Sequence, residues 1–241
     1  MPHETRVHFK PPNLTARVWI AEFKVWHAGS VILELTRKYD ATAVGYYLGL
    51  FQERGRASFI RGTVIYGPEA EKVKSKLHTD PRVRVLGEEA GQAFYSAAVK
   101  EAFHAAVFDR SVFFTKPIFV TKGSEYWTVA ALRKQDLLSL YERIRALGSQ
   151  RATIKLLSIK EKPQHVFLSS ILSELTDTQR KVLQTAVENG YYEHPRKAYL
   201  EDLAKKVGMP RSTFQHHLRE AERKALPALV EQTTFPFASK P

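Results

Sequence analysis

Apolar and polar positions alternate along the first two-thirds of the chain with the period of strands, and recur every three to four residues in the last quarter with the period of helices. From Leu14 to Val25, β-branched and aromatic residues alternate with small or charged ones, which predicts a half-buried strand. A Gly29-Ser30 turn opens Val31 to Tyr39, where Val31, Leu35 and Tyr39 share one helical face and Ile32 flanks it. Ala41 to Phe51 and Arg56 to Tyr66 read as two strands joined by the polar, glycine-bearing loop Gln52-Glu53-Arg54-Gly55. Pro68 suits a first helical turn, and Ala70, Val73 and Leu77 recur on the face such a helix would bury. Val83 to Leu86 adds a short strand. The order is β-α-β-β-α-β, the ferredoxin-like arrangement.

That order then repeats. Gln92 to Ala97 reads as a strand, Val99 to Phe108 as a short helix, and Phe113 to Thr121 and Tyr126 to Ala131 as strands around a Lys122-Gly123-Ser124 turn. Leu137, Leu140, Tyr141, Ile144 and Leu147 line one helical face ahead of Gly148, and Thr153 to Ile159 is the last strand. The fold class expected is α+β: tandem ferredoxin-like βαββαβ units over 1–89 and 90–162, then an all-α helix-turn-helix domain. The repeat is one of element order and not of residue identity. Lys160-Glu161-Lys162-Pro163-Gln164 marks the boundary, being charged and broken by proline. A linker helix is expected over 163–174, and the helix-turn-helix over 175–230.

In the last part, Thr176-Asp177-Thr178-Gln179 has the spacing of a capping box, and Val182, Leu183, Ala186 and Val187 form the stripe of the helix it starts. Leu200, Leu203, Ala204 and Val207 give a second helix, and Gly208-Met209-Pro210 a tight turn. A small residue at 204 followed by glycine at 208 lets two helices cross closely, as in a helix-turn-helix. In the third helix, Arg211 to Leu226, a step of about 100° per residue puts Phe214, Leu218, Ala221 and Ala225 on one side. Ser212, His216, Arg219 and Arg223 fall on the other. Side chains near the start of a recognition helix do most of the base reading, so Arg211, Ser212, Thr213, Gln215 and His216 are assigned to bases. Arg219, Arg223 and Lys224 are assigned to phosphates, which set register without specifying sequence.

Composition narrows the alternatives. The 241 residues carry 37 Lys and Arg against 25 Asp and Glu, a formal charge of +12, which favours a polyanionic partner. The excess is not concentrated in the helix-turn-helix: residues 175–226 hold 10 basic against 7 acidic side chains, a net of +3. With 44 % hydrophobic residues and no cysteine, the chain can bury a core, and thiol chemistry, disulfides and cysteine metal sites are excluded. His216 and His217 diverge by about 100° on a helix and cannot share one ion from one face, and HExxH is absent, so no metal is expected. Phosphate-cradling and nucleophile-elbow glycine motifs are missing too, so neither an enzyme nor a cofactor is expected. The run Phe113 to Ala131 is broken by Lys116, Pro117, Lys122 and Glu125, and the N-terminus lacks the apolar core of a secretory signal, which together predict no membrane span and a cytoplasmic protein.

Leu175-Thr176-Asp177-Thr178-Gln179-Arg180, Gly190-Tyr191-Tyr192-Glu193-His194-Pro195-Arg196, Leu200-Glu201-Asp202-Leu203-Ala204, and Arg211-Ser212-Thr213-Phe214 through Lys224 together resemble the helix-turn-helix of the archaeal bacterio-opsin activator family. The Gly-Tyr-Tyr-x-x-Pro-Arg loop makes the resemblance specific. It implies a DNA-binding transcriptional regulator. Two positions depart from the family pattern: Tyr199 stands where Ser or Thr usually caps the second helix, and Pro210 where a cap is common before the third. One recognition helix spans few base pairs, so a homodimer on double-stranded DNA is expected. The cleft between paired units is a candidate site for a small-molecule effector. The competing readings are a promoter factor resembling region 4 of bacterial sigma factors, tested by co-purification with RNA polymerase, and a metabolite-binding module whose helix-turn-helix contacts protein, tested by the absence of sequence preference on DNA.

Overall fold

The computed structural model describes residues 17–53, 56–89, 91–98, 103, 106–107, 111–163 and 174–233. The chain divides into two compact units, Met1–Gln164 and His165–Pro241.

The first unit is built on a single mixed-order antiparallel sheet. Its strands are β1 (Arg17–His27), β2 (Thr42–Glu53), β3 (Arg56–Tyr66), β4 (Val83–Glu89), β5 (Gln92–Ala98), β6 (Val112–Phe114), β7 (Ile118–Thr121), β8 (Ser124–Ala131) and β9 (Ala152–Pro163). Its helices are α1 (Val31–Lys38), α2 (Ala70–Thr79) and α3 (Lys134–Arg145). The strand order is β4-β5-β3-β2-β7-β8-β1-β9, with β6 beside β8. Along β3, Phe59, Arg61, Thr63 and Ile65 are buried while Val64 and Tyr66 are exposed, which is the period-two pattern of a sheet with one covered face. Val31, Ile32 and Leu33 of α1, Val73 and Leu77 of α2, and Leu137, Leu140 and Ile144 of α3 fill that covered face together with Phe23, Val25, Trp127 and Val129.

The tandem arrangement expected from the element order is corrected by this sheet. A self-contained βαββαβ unit over 1–89 requires β1 beside β3. Instead β1 lies between β8 and β9, pairing Phe23 with Trp127 and Val25 with Ile154, and β3 takes β5 as its neighbour, Arg61 opposite Tyr95. Neither 1–89 nor 90–162 closes its own sheet. The two halves then join edge to edge where β2 meets β7, Gly45 opposite Ile118, and one hydrophobic core runs beneath both.

Two smaller departures have local causes. The stretch Phe113 to Thr121, read as one strand, is split into β6 and β7, both on the same side of β8. Pro117 has no N–H for the ladder, and Thr115 bridges the gap by donating its amide to the Thr128 carbonyl at 3.0 Å. The helix read at Val99 to Phe108 falls mostly outside the described residues; Phe103, Ala106 and Val107 within it are buried in the core. The loop residues Arg54 and Gly55, the first residues of the run from Leu14, and almost all of the expected linker helix over 163–174 also lie outside them.

Candidate nucleic-acid interface

The second unit contains α4 (Asp177–Glu188), α5 (Leu200–Val207) and α6 (Arg211–Thr233). The capping box forms as the spacing predicts: the Gln179 amide donates to Thr176 Oγ1 and the Thr176 amide donates to Gln179 Oε1, both at 3.2 Å. Two of the free amides at the start of α4 are thereby satisfied, and Asp177 sits at the positive end of the helix.

An eleven-residue loop, 189–199, links α4 to α5. Gly190 turns it with φ +72°, and a Cβ there would meet Lys197 Cβ at 3.0 Å and the Glu193 carboxylate at 3.1 Å. The Gly190 carbonyl then accepts from the amides of Glu193 and Lys197, closing the loop on itself. Arg196 stacks over the Tyr191 ring at 4.6 Å, and Tyr192 donates its hydroxyl to Glu222 of α6. Partial burial, followed by that bond to a carboxylate, pushes the Tyr192 phenol well above its ordinary value.

Tyr199 supplies no side-chain cap to α5, as expected from its chemistry. Its carbonyl starts the helix by accepting from the amides of Asp202 and Leu203, while Glu201 and Asp202 complement the dipole. Gly208, at φ +70°, ends α5 in the left-handed conformation, which a glycine adopts without steric cost. Pro210 likewise contributes only its carbonyl, which accepts from Phe214 N at 3.0 Å and so opens α6.

The inner face of α6 is the predicted one. Phe214, Leu218 and Ala221 are at most 2 % exposed, and Phe214 and Leu218 pack with Val182, Ala186, Leu203 and Ala204. Arg211, Ser212, Thr213, His216, Arg219 and Arg223 are exposed along the rest of the helix. Among the described residues Arg211, His216 and Arg219 make no ion pair or side-chain hydrogen bond. Arg223 pairs with Glu220 at 2.8 Å, which lowers the Glu220 carboxyl below its ordinary value.

Gln215 is half-buried and lines a cleft of about 490 Å³ with Arg219 and Glu222, opposite Tyr191, His194 and Arg196 of the loop. Lys224 is placed elsewhere than expected. Its ammonium donates to the Glu174 carbonyl at 2.7 Å and to Gln179 Oε1 at 2.9 Å, so it ties α6 to the capping box instead of projecting as a phosphate clamp. The His216 and His217 rings stand 5.6 Å apart at 60°, one exposed and one half-buried, and no group of three or more potential metal ligands occurs among the described residues. The loop residues His194 and Arg196, which flank the same cleft, were not reached by sorting helix faces, because a loop has no periodicity to sort.

Helix α6 continues through Pro227 to Thr233, beyond the expected end at Leu226. No helix among the described residues is long and apolar enough to cross a membrane.

Residues 175–226 match the family described as an HTH DNA binding domain. The chain is 47 % identical over 58 residues to the Transcriptional regulator NarO of Haloferax volcanii, covering 24 % of this chain and 28 % of that protein. It is 29 % identical over 115 residues to a putative transcriptional regulator of the same organism, covering 47 % of this chain and 20 % of that one. It is 36 % identical over 72 residues to the Bacterioopsin transcriptional activator of Halobacterium salinarum, covering 30 % of this chain and 11 % of the activator. The chain therefore spans less than a third of the length of each of these relatives. Its C-terminal unit carries a helix-turn-helix DNA-binding domain of the bacterio-opsin activator type.

Proposed function

We propose that the chain is a sequence-specific transcriptional regulator that binds double-stranded DNA through the exposed face of α6. The observation that carries the reading is the division of that helix: Phe214, Leu218 and Ala221 are spent on the core, while Arg211, His216 and Arg219 are exposed and make no ion pair or side-chain hydrogen bond among the described residues. Arg211, Ser212, Thr213, Gln215 and His216 meet base edges in the major groove, and Arg219 and Arg223 meet phosphates. Arg223 has first to release Glu220. Lys224 acts by holding α6 against α4. The names of the relatives, all regulators of transcription, support the same role.

The N-terminal unit senses a small molecule and holds two chains together, so that two recognition helices meet two half-sites about one helical turn apart. Its sheet is read as two ferredoxin-like halves that have traded first strands: exchanging β1 and β5 in the order β4-β5-β3-β2-β7-β8-β1-β9 leaves each half in the order of one βαββαβ unit. The protein works in the cytoplasm, without a cofactor or a catalytic step.

Selection of bound duplexes from a random library tests this reading. Enrichment of one motif arranged as an inverted repeat supports it, and recovery of unselected sequence by a protein that still binds DNA overturns the specific part.

A further inference from the structure

Beneath the seam where β2 meets β7, the core holds a fully buried ion pair. Arg61 of β3 reaches across both strands to Glu125 of β8, Nη1 to Oε1 at 3.1 Å, with side chains 0 % and 1 % exposed. The second carboxylate oxygen of Glu125 accepts from Trp127 Nε1 at 2.7 Å, and the Tyr47 ring lies 5.2 Å from the guanidinium. Glu125 is thus used on both oxygens, whereas Arg61 is not used on both edges.

Arg61 Nε and Nη2, Thr63 Oγ1 and Tyr95 Oη make no hydrogen bond of good geometry, although the Tyr95 hydroxyl lies within electrostatic reach of both Arg61 and Thr63. All three residues face the same side of the sheet: Tyr95 lies directly opposite Arg61, and Thr63 is two positions along the same strand. Nε and Nη2 are the parallel pair of N–H groups with which arginine grips a carboxylate through two bonds. Two hydroxyls beside that fork supply further donors. Unpaired donors on a buried charge are costly, and native cores rarely leave several together.

Thr63 is also in the wall of a cleft of about 210 Å³ formed with Ile65, Lys74, Glu88, Gly91 and Ala93. That volume equals about seven water molecules at ~30 Å³ each, so a ligand there is small. The charges around it are mixed. Lys74 is paired with Glu71 at 2.6 Å and Glu88 with His78 at 2.6 Å, and Glu89 also lines the cleft. Two carboxylates in that wall repel a second carboxylate on the ligand and accept a neutral or cationic remainder.

We propose that Arg61, Thr63 and Tyr95 bind the carboxylate of a small monocarboxylic acid, whose remainder occupies the adjoining cleft and leaves by way of Lys74 and Glu88. This gives a location and a chemical class to the sensing role proposed above, and rests on that role only for its regulatory meaning.

The test measures thermal stabilisation and calorimetric binding of the full chain with three sets of probes at about 10 mM: glycine, alanine and serine; lactate and pyruvate; malonate and succinate. Stabilisation by RT ln(1 + [L]/Kd) makes even millimolar binding readable. At least one monocarboxylate is expected to bind, and the first two sets separate a cationic from a neutral remainder. The dicarboxylates bind at least about tenfold more weakly. Thr63→Val and Tyr95→Phe remove hydroxyls that make no well-formed hydrogen bond in the free chain, so its melting temperature changes little while affinity falls about tenfold. Arg61→Met with Glu125→Gln removes both charges together, leaves neither unpaired, and abolishes binding. Failure of every monocarboxylate to bind overturns the proposal. Unchanged affinity in these variants, or a crystal structure with only water on Nε and Nη2 in the presence of the probe, does the same. DNA affinity measured on the same samples keeps the two readings apart, since loss of DNA binding alone leaves this site standing.

Discussion

Lys224 and Arg219 are about 1.4 turns apart on α6, yet the structure gives them different work. Arg219 is exposed with no ion pair among the described residues, while Lys224 donates to Glu174 and Gln179. Lys224→Met is therefore expected to destabilise the C-terminal unit by about 1 kcal/mol, read from denaturant unfolding, without changing the slope of log K against log [salt]. Arg219→Ala is expected to leave stability unchanged and to reduce that slope by about 1. The opposite assignment of effects contradicts the placement of Lys224. His27 provides a second residue-level expectation. It is buried against Phe103, ring centroids 4.1 Å apart, and burial holds its pKa below the ordinary 6.5. The unfolded chain then binds the proton more tightly than the folded one. Stability from His27 is complete above pH 6.5 and is lost as the pH falls below it toward the depressed folded-state value. His27→Gln should flatten the melting temperature between about pH 6.5 and pH 5, and an unaltered slope there argues against the effect.

At the level of elements, what was legible in the sequence was local. The capping box of Thr176 and Gln179, the glycine stop at 208 and the two faces of α6 all follow from residues within a turn or two of one another. Partner choice between strands was not legible, because β1 and β5 carry the same alternation and nothing in either states which neighbour it prefers. Lys224 escaped for a related reason: it lies near the edge between the two faces of α6, where helix arithmetic alone does not choose between solvent and the capping box. Thr176→Ala should cost about 1 kcal/mol of stability in the C-terminal unit, measured by denaturant unfolding. At Gly45 the strands approach closely: an added Cβ would stand 2.1 Å from the Gly62 carbonyl oxygen, which is backbone and cannot swing aside. Gly45→Ala is accordingly expected to cost at least about 2 kcal/mol in the N-terminal unit, and a neutral substitution contradicts the close packing of β2 against β3.

For the molecule as a whole, the placement of β1 between β8 and β9 and of β5 between β4 and β3 makes the N-terminal unit one folding unit, since neither 1–89 nor 90–162 closes its own sheet. Hydrogen exchange should show β1, β3, β5 and β8 opening together, and separate opening of 1–89 from 90–162 contradicts the interwoven sheet. The net charge of +12 is spread over the chain, so it supports attraction to DNA at low salt without marking the reading head. On the proposed reading, specificity comes from Arg211 and His216 on the exposed face of α6. The most direct measurement is the ratio of affinities of the full chain for its selected duplex and for a scrambled duplex at one fixed salt concentration, with and without Arg211→Ala and His216→Ala. Each substitution is expected to cost about 1–3 kcal/mol on the selected duplex and much less on the scrambled one, so that the ratio collapses. Equal losses on both duplexes, or no loss on either, would contradict the assignment of this helix face to base reading.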